Sequence, residues 1–435
     1  QPSPPMLHSR LLSTLENYLA LAILAVVFFT SIAEVSFGED ESHWIHTSSY
    51  LEIFFTEKPS SPFWSEHYWT LTQPPMTRYL IGSGRLLGGY GRGDLNTPWQ
   101  FGQDTTWNIT HGNLPDLGLL WWSRLPMALL GSLSGWMIFI LLKQAAGRLA
   151  GGAFLISYIF NPYFLTHLRR AMSESPLLFF IILTALICAK ALKELNIAFR
   201  KDSATLIDLR KSTVWFILAG GCCGLAGASK INGLFSTAGL VFLVTSAVLV
   251  QPRAVPPAVR RSYVIRTAIL SLFAALLVFI AVNPYLYSNP LVNTARMFKF
   301  RVQEMMIQVA GFPENVLHGP AERIQVISRR IFEDYAWPGF KGALALNLPL
   351  AAVGLAGLIW KLRFRWQNTE AGISSAVLLF IPAPLIAAAL VTPLDWNRYY
   401  LFPEILTTCF CSAGFAITAV WIMKKLVPQT NYPKF

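Results

Sequence analysis

Charge is scarce in this sequence. Asp, Glu, Lys and Arg together make up 13% of its 435 residues, about half of what a soluble domain carries, while hydrophobic residues make up 54%. That balance excludes an ordinary water-soluble fold. Cysteine is scarce as well, and all five, Cys188, Cys222, Cys223, Cys409 and Cys411, fall in or beside apolar runs. Their spacing gives neither a disulfide framework nor a metal-ligand pattern, so they read as small apolar packing residues. There is no repeat of fixed period and no low-complexity tract, which leaves the loops as the place to look for function.

What the sequence has in abundance is apolar runs long enough to cross a ~30 Å hydrocarbon core, about 20 residues each. They fall near 18–37, 118–142, 150–166, 174–192, 214–229, 231–250, 267–287, 342–360, 372–392 and 401–423. The expected fold is an all-α polytopic membrane protein, one transmembrane domain over residues 1–435 with about ten spans. The stretch from 214 to 250 reads as one tight helical pair or as something less regular. The first run follows Arg10 and resembles a signal peptide in outline, but it exceeds the usual 7–15-residue apolar core and reads as a retained helix.

The net charge of +12 would suit a nucleic-acid partner, but its distribution argues against one. Basic residues collect in alternate connections: Lys143 and Arg148; Lys193, Arg200, Lys201, Arg210 and Lys211; Arg253, Arg260, Arg261 and Arg266; Lys361, Arg363 and Arg365; Lys424 and Lys425. These belong on the cytoplasmic side. The loop 38–117 holds four basic and nine acidic residues and belongs outside, on a periplasmic, extracellular or lumenal face, with both termini cytoplasmic.

Two outer segments are too long to be simple connections, 38–117 and 288–341. In the first, amphipathic stretches at 42–57 and 76–90 flank a connector containing Trp64, His67, Tyr68 and Trp69. Its tail carries Asn108-Ile109-Thr110, formally a glycosylation acceptor. The second carries Phe298-Lys299-Phe300-Arg301 and a charged helical run from Glu322 to Asp334. It reads as a cap over a cavity, in contact with a lipid tail or head group, or as an interfacial helix that packs the bundle.

The ionisable groups near the outer edge form five clusters. Asp40 and Glu41 follow the first span, where a partly desolvated carboxylate is a candidate general base; acidic capping of the helix that follows is the plainer reading. In Gln73-Pro74-Pro75-Met76-Thr77-Arg78 the double proline fixes an extended chain that feeds into a helix, with Arg78 in its first turn. Arg124 sits inside an apolar segment, where a buried cation points to a functional or paired role. Arg169 and Arg170 meet Glu174 at an outer turn, and Lys230 ends a run of small residues. Guanidinium and ammonium groups so placed suit a phosphate. The spacing of His43 and His46 puts both on one helical face, where with His67, Asp40 and Glu41 they would be within reach of a metal; interfacial packing is the commoner role, and no metal is required.

In order, Asp40-Glu41-Ser42-His43-Trp44, Gln73-Pro74-Pro75-Met76-Thr77-Arg78, Gly88-Gly89-Tyr90-Gly91, Arg124-Leu125-Pro126 with Gly131, Arg170 with Glu174, and Gly227-Ala228-Ser229-Lys230 resemble the protein O-mannosyltransferases. Asn397-Arg398-Tyr399-Tyr400-Leu401-Phe402-Pro403 is similar to a segment of the wider family, which includes the lipid A aminoarabinose transferases. The resemblance implies a glycosyltransferase of the membrane C-type (GT-C) fold. Such an enzyme takes a sugar from a polyprenyl- or dolichyl-phosphate donor, with inversion, and passes it to a protein, lipid or glycan acceptor. It implies Asp40 as catalytic base, Glu41 as its neighbouring acidic residue and Arg124 as a membrane-buried arginine; on the enzyme reading the phosphate then leaves toward Arg78, Arg124, Arg170 or Lys230. His43, Gln73, Glu174, Arg398 and Tyr399 are then expected to contact substrate. Gln73 stands where the family has His, Arg78 where it has Lys, and Gly91 where Asp is usual. The lectin-like domain that eukaryotic members carry after the seventh span is missing. A transporter would need midspan charges and paired broken helices, which the pattern lacks; a non-catalytic subunit of a membrane complex would not need the Asp40-Glu41 pair. The enzyme reading requires Asp40 to face the same hollow as Arg124 and Lys230.

Overall fold

A chain that crosses lipid must close its own backbone hydrogen bonds, and the helix does so locally. The computed structural model describes residues 4–30, 32–199, 205, 207–249, 256–365 and 369–426. Over these the architecture is helical, with one isolated antiparallel bridge between Val316 and Leu394. Helix α1 (Pro4–Thr30) leads into the short helices α2 (Glu39–His46), α3 (Tyr50–Thr56), α4 (Tyr68–Thr72), α5 (Met76–Leu87) and α6 (Thr105–Thr110). There follow α7 (Leu117–Ala146), α8 (Arg148–Phe160), α9 (Pro162–Arg169), α10 (Glu174–Phe199), α11 (Arg210–Ser229), α12 (Ser236–Leu249) and α13 (Pro257–Ala281). The second long segment supplies α14 (Pro290–Gly311) and α15 (Gly319–Arg329), and the chain closes with α16 (Leu344–Arg365), α17 (Glu370–Phe380), α18 (Ala383–Leu390) and α19 (Leu401–Leu426).

Among the described residues nine helical stretches are long and apolar enough to cross a bilayer, and a bent pair brings the number to ten. They coincide with the ten apolar runs. The run at 150–166 is the one that differs: α8 and α9 meet at 70°. Asn161 is extended there and its side chain accepts from the amides of Tyr163 and Phe164, while Pro162 opens α9 without an N–H to offer α8. The 214–250 stretch is α11 and α12 joined by a tight turn at Ile231–Phe235. Of the basic residues assigned to the cytoplasmic side, Arg200, Lys201 and Arg253 lie outside the described residues.

Helices α1, α7, α8, α10, α11, α17 and α19 share one apolar core, with Phe28, Phe154, Tyr158 and Phe216 fully enclosed. Close approach is obtained with small residues. A side chain added at Gly220 or Gly224 of α11 would run into the carbonyls of Ser271 and Ala275 on α13.

The first long segment is folded as a unit. The amphipathic stretch expected at 42–57 begins earlier, at Glu39, and breaks at Thr47–Ser49 into α2 and α3. Ser42 is the reason that α2 is pinned: its hydroxyl donates to the Asn113 carbonyl at 2.7 Å and accepts from Asn96 Nδ2 at 2.8 Å and the Trp99 amide at 3.0 Å. Asn108, the formal glycosylation acceptor, is wholly buried. Its amide group donates to the carbonyls of Gln100 and Asp104 and accepts from the amide of Gln100 and Nδ2 of Asn113, so it staples the loop from inside. The second segment rests on the first through Tyr68 Oη to Glu304 Oε1 at 3.1 Å, Arg296 to Glu66 at 2.9 Å, and the Tyr68 and Phe300 rings.

Candidate active site

Asp40 and Glu41 are consecutive on α2, and consecutive helical residues face different directions. Glu41 turns inward and is fully buried. It meets Arg124 of α7 in a two-point pair, Nε to Oε1 at 2.8 Å and Nη2 to Oε2 at 2.7 Å. The backbone amides of Gly38 and Ala171 complete its acceptors at 2.9 and 2.8 Å. Arg124 spends its remaining N–H groups on the carbonyls of Ile32, Val35 and Ser36. Both groups are saturated. Glu41 therefore has no lone pair to offer a substrate proton and Arg124 no donor to offer a phosphate, which departs from the roles expected of them. Together they tie α2, the end of α1 and the α9–α10 turn to α7.

Asp40 turns the other way, so the expectation that it shares one hollow with Arg124 is not met: Arg124 is enclosed and taken up by Glu41. Its carboxylate is 40% exposed and pairs with the guanidinium of Arg398, which lies 358 residues along the chain in the turn that opens α19. Arg398 rests across the rings of Trp396 and Tyr399, 5.0 and 5.8 Å from their centroids. Beside this pair stands another: Glu174, at the start of α10 and 2% exposed, accepts from Lys230 Nζ at 3.0 Å. Its second oxygen, Oε2, is buried without a hydrogen-bond partner. Arg398 acts electrostatically on Glu174, and His167 is acted on by Glu174, Arg170, Arg398 and Lys230 together. Asp40, Arg398, Glu174 and Lys230 thus form one alternating row of charges. Arg170 borders it, donating to the carbonyl and hydroxyl of Ser36 at 3.2 and 3.1 Å.

Arg78 is in the first turn of α5 as expected, and 1% exposed. It donates to the Trp69 carbonyl at 2.7 Å and lies 4.7 Å above the Tyr50 ring, while its Nε has no partner. Burial lowers its pKa to about 10. The same turn docks on the Lys230 side of the site, because Thr77 donates to the Ser229 carbonyl at 3.0 Å. Gln73 is half-buried on the extended step before the two prolines.

His43 stacks on Phe101 at 5.3 Å and leans on Trp69 at 5.2 Å. Its Nε2 meets the Trp99 carbonyl at 2.9 Å, and burial lowers its pKa below the usual 6.5. His46 is spent on the Asn96 carbonyl and His67 on Phe63 and Tyr50. Among the described residues no three side chains of metal-binding type come together. The residue pattern gives no role to His167 or to Tyr68, which feels the charges of Asp40 and Glu304 and whose pKa is raised to about 12, chiefly by burial. The aromatic connector was the available signal for Tyr68.

Against known proteins, the family model for dolichyl-phosphate-mannose-protein mannosyltransferase matches residues 44–294, more than half of the chain. The chain belongs to this mannosyltransferase family. No curated protein matches it closely enough to name as a relative. Among solved structures, the fold of this mannosyltransferase-family chain is similar to the oligosaccharyltransferase AglB of Archaeoglobus fulgidus, whose structure holds an inhibitory peptide and a dolichol-phosphate. The TM-score is 0.52 at 11% identity, over 97% of this chain and 53% of that one. It is similar also to ArnT of Cupriavidus metallidurans bound to undecaprenyl phosphate, with a TM-score of 0.50 at 15% identity over 92% and 60% of the two chains. At such identities the likeness concerns the fold, which is of the GT-C kind, and the chain spans between half and three fifths of those proteins.

Proposed function

We propose that this protein transfers a sugar from a polyprenyl- or dolichyl-phosphate donor to a hydroxyl acceptor on the non-cytoplasmic face of its membrane, with inversion at the anomeric carbon. The observation that carries the reading is the row of Asp40, Arg398, Glu174 and Lys230, assembled from four distant parts of a mannosyltransferase-family chain. Asp40 is the half-exposed carboxylate of the row and the one available to take a proton. Arg398 and Lys230 are the cations that hold the donor phosphate, with Arg170 and Arg78 at its border.

In the reaction the acceptor oxygen forms its bond to the anomeric carbon as the bond from that carbon to the phosphate oxygen breaks. The electron pair stays on the phosphate, where Arg398 and Lys230 stabilise the added charge, and the hydroxyl proton passes to Asp40. A phosphate beside Arg398 offers that guanidinium a second anion. Drawing it off Asp40 frees the carboxylate oxygen that it holds, so donor binding leaves that oxygen open to the acceptor hydroxyl. Glu41 and Arg124 do not enter these steps; they hold α2 so that Asp40 faces the row. The AglB and ArnT structures, with their bound polyprenyl phosphates, support a lipid-phosphate donor, and the family model supports mannose as the first sugar to try.

The test is a transfer assay of the intact protein in lipid with a labelled panel of polyprenyl- and dolichyl-phosphate sugars, beside Asp40→Asn. Transfer by the parent and none by the variant is expected. Equal transfer by both removes Asp40 from the mechanism, and no transfer from any donor favours a non-catalytic subunit.

A further inference from the structure

The turn that presents Arg398 has little regular structure of its own, yet it is held at three points. Asp395 lies three residues before Arg398. Its backbone amide donates to the Asn315 carbonyl at 2.7 Å, and next to it the Leu317 amide donates to the Pro393 carbonyl at 2.8 Å. Its carboxylate takes the two-point grip of Arg330, Nε to Oδ1 at 3.1 Å and Nη2 to Oδ2 at 2.7 Å. The Tyr400 hydroxyl donates to Oδ1 at 2.8 Å from the other side of Arg398.

Arg330 is itself specially presented. It opens a π-helical turn, Arg330–Asp334, at the end of α15, and its third hydrogen bond goes to Asp334 Oδ2 at 2.7 Å. Such turns are rare and frequent at functional sites. The widened turn lets one guanidinium span carboxylates on two different segments. Tyr335, the residue after it, stacks on Tyr163 of α9 at 4.3 Å, and Tyr163 donates to the Asn397 carbonyl at 2.5 Å. Arg398 is thus bracketed by Asp395 and Asn397 on one side and Tyr400 on the other, all fixed to the second outer segment or to α9.

We infer that Arg330, acting through Asp395, positions Arg398 against Asp40, so that the second outer segment and the catalytic carboxylate assemble as one unit. Arg330 is a positioning residue: no contact of its own reaches Asp40. The bidentate geometry matters, because a lysine in its place keeps the charge but not the fork. The inference rests on the transfer reading above for its consequence, while the clamp itself is a structural statement that can be judged alone.

The experiment uses the full chain in lipid nanodiscs, as parent, Arg330→Gln, Arg330→Lys, Tyr400→Phe and the exchange Arg330→Asp with Asp395→Arg. Two readings are taken: amide hydrogen exchange over 393–400 and transfer kinetics with a polyprenyl-phosphate sugar. Arg330→Gln is expected to speed exchange in 393–400 while leaving α7 and α10 protected, and to lower transfer about ten- to a hundredfold through misplacement of Arg398. Arg330→Lys recovers part of the loss and the charge exchange recovers more. Tyr400→Phe, which deletes one hydroxyl and is the mildest variant, loosens 393–400 without unfolding the chain. Unchanged exchange in 393–400 for both Arg330→Gln and Tyr400→Phe overturns the clamp whether or not the parent is active. Loosening with undiminished transfer overturns its role in positioning. A parent that transfers from no donor defeats the transfer reading, leaving the exchange data to decide the clamp.

Discussion

Replacing Glu41 by Gln is expected to unfold this protein more readily without touching its chemistry. Glu41 accepts four hydrogen bonds at complete burial, two from Arg124 and one each from the amides of Gly38 and Ala171. Glutamine keeps the shape but removes the charge and turns one acceptor into a donor that faces donors. Arg124 is left enclosed with three backbone carbonyls and no counter-ion. Breaking a buried pair from one side costs about 3–5 kcal/mol, on the order of a hundredfold or more in the folding equilibrium. Thermal or denaturant unfolding in a fixed detergent measures it, with transfer scored per folded molecule. The double replacement Glu41→Leu with Arg124→Met is expected to recover most of the stability, since apolar residues of similar size commonly match a buried pair. An E41Q variant as stable as the parent, or one that loses turnover at unchanged stability, would refute the assignment of Glu41 to structure.

Three further outcomes follow from the geometry. Lys230→Gln removes one of the two cations proposed to hold the donor phosphate and leaves Glu174 buried with neither oxygen paired to a cation; donor KM is expected to rise at least tenfold with a smaller change in kcat, read from initial rates against donor concentration. Gly220→Leu forces α11 and α13 apart, because an added side chain meets the Ser271 backbone, and its yield of folded protein on size exclusion is expected to fall sharply. His43 has a pKa below the usual 6.5, first because it is buried, so the folded state binds its proton less readily than the unfolded chain. Its contribution to stability is present above about pH 6.5 and is lost as the pH falls below it; unfolding followed from pH 7 to 5 is expected to show this decline, and His43→Gln to flatten that part of it.

Ten apolar runs were legible because a bilayer demands about 20 residues per span. The bend between α8 and α9 was not, although Asn161-Pro162 signals it, because apolar residues continue across the break. At the site, residue types and order pointed to Asp40, Glu41, Arg124, Glu174 and Lys230, but only three dimensions say which acid meets which base. Glu41 and Arg124 consume each other across 83 positions. Asp40 finds Arg398 near the other end of the chain, and a motif read locally cannot anticipate that. Arg330 and Asp395 carried no signal beyond charge, since their significance lies in a π-turn and in the segment they tie down.

The most direct measurement of the central claim is a structure of the protein in a lipid disc with a bound polyprenyl phosphate. The phosphate is predicted against Arg398 and Lys230, with Arg398 drawn toward it and the Asp40 carboxylate facing the open side of the phosphate where an acceptor would approach. A phosphate held elsewhere, with Asp40 and Arg398 still locked together and screened from it, would contradict the account.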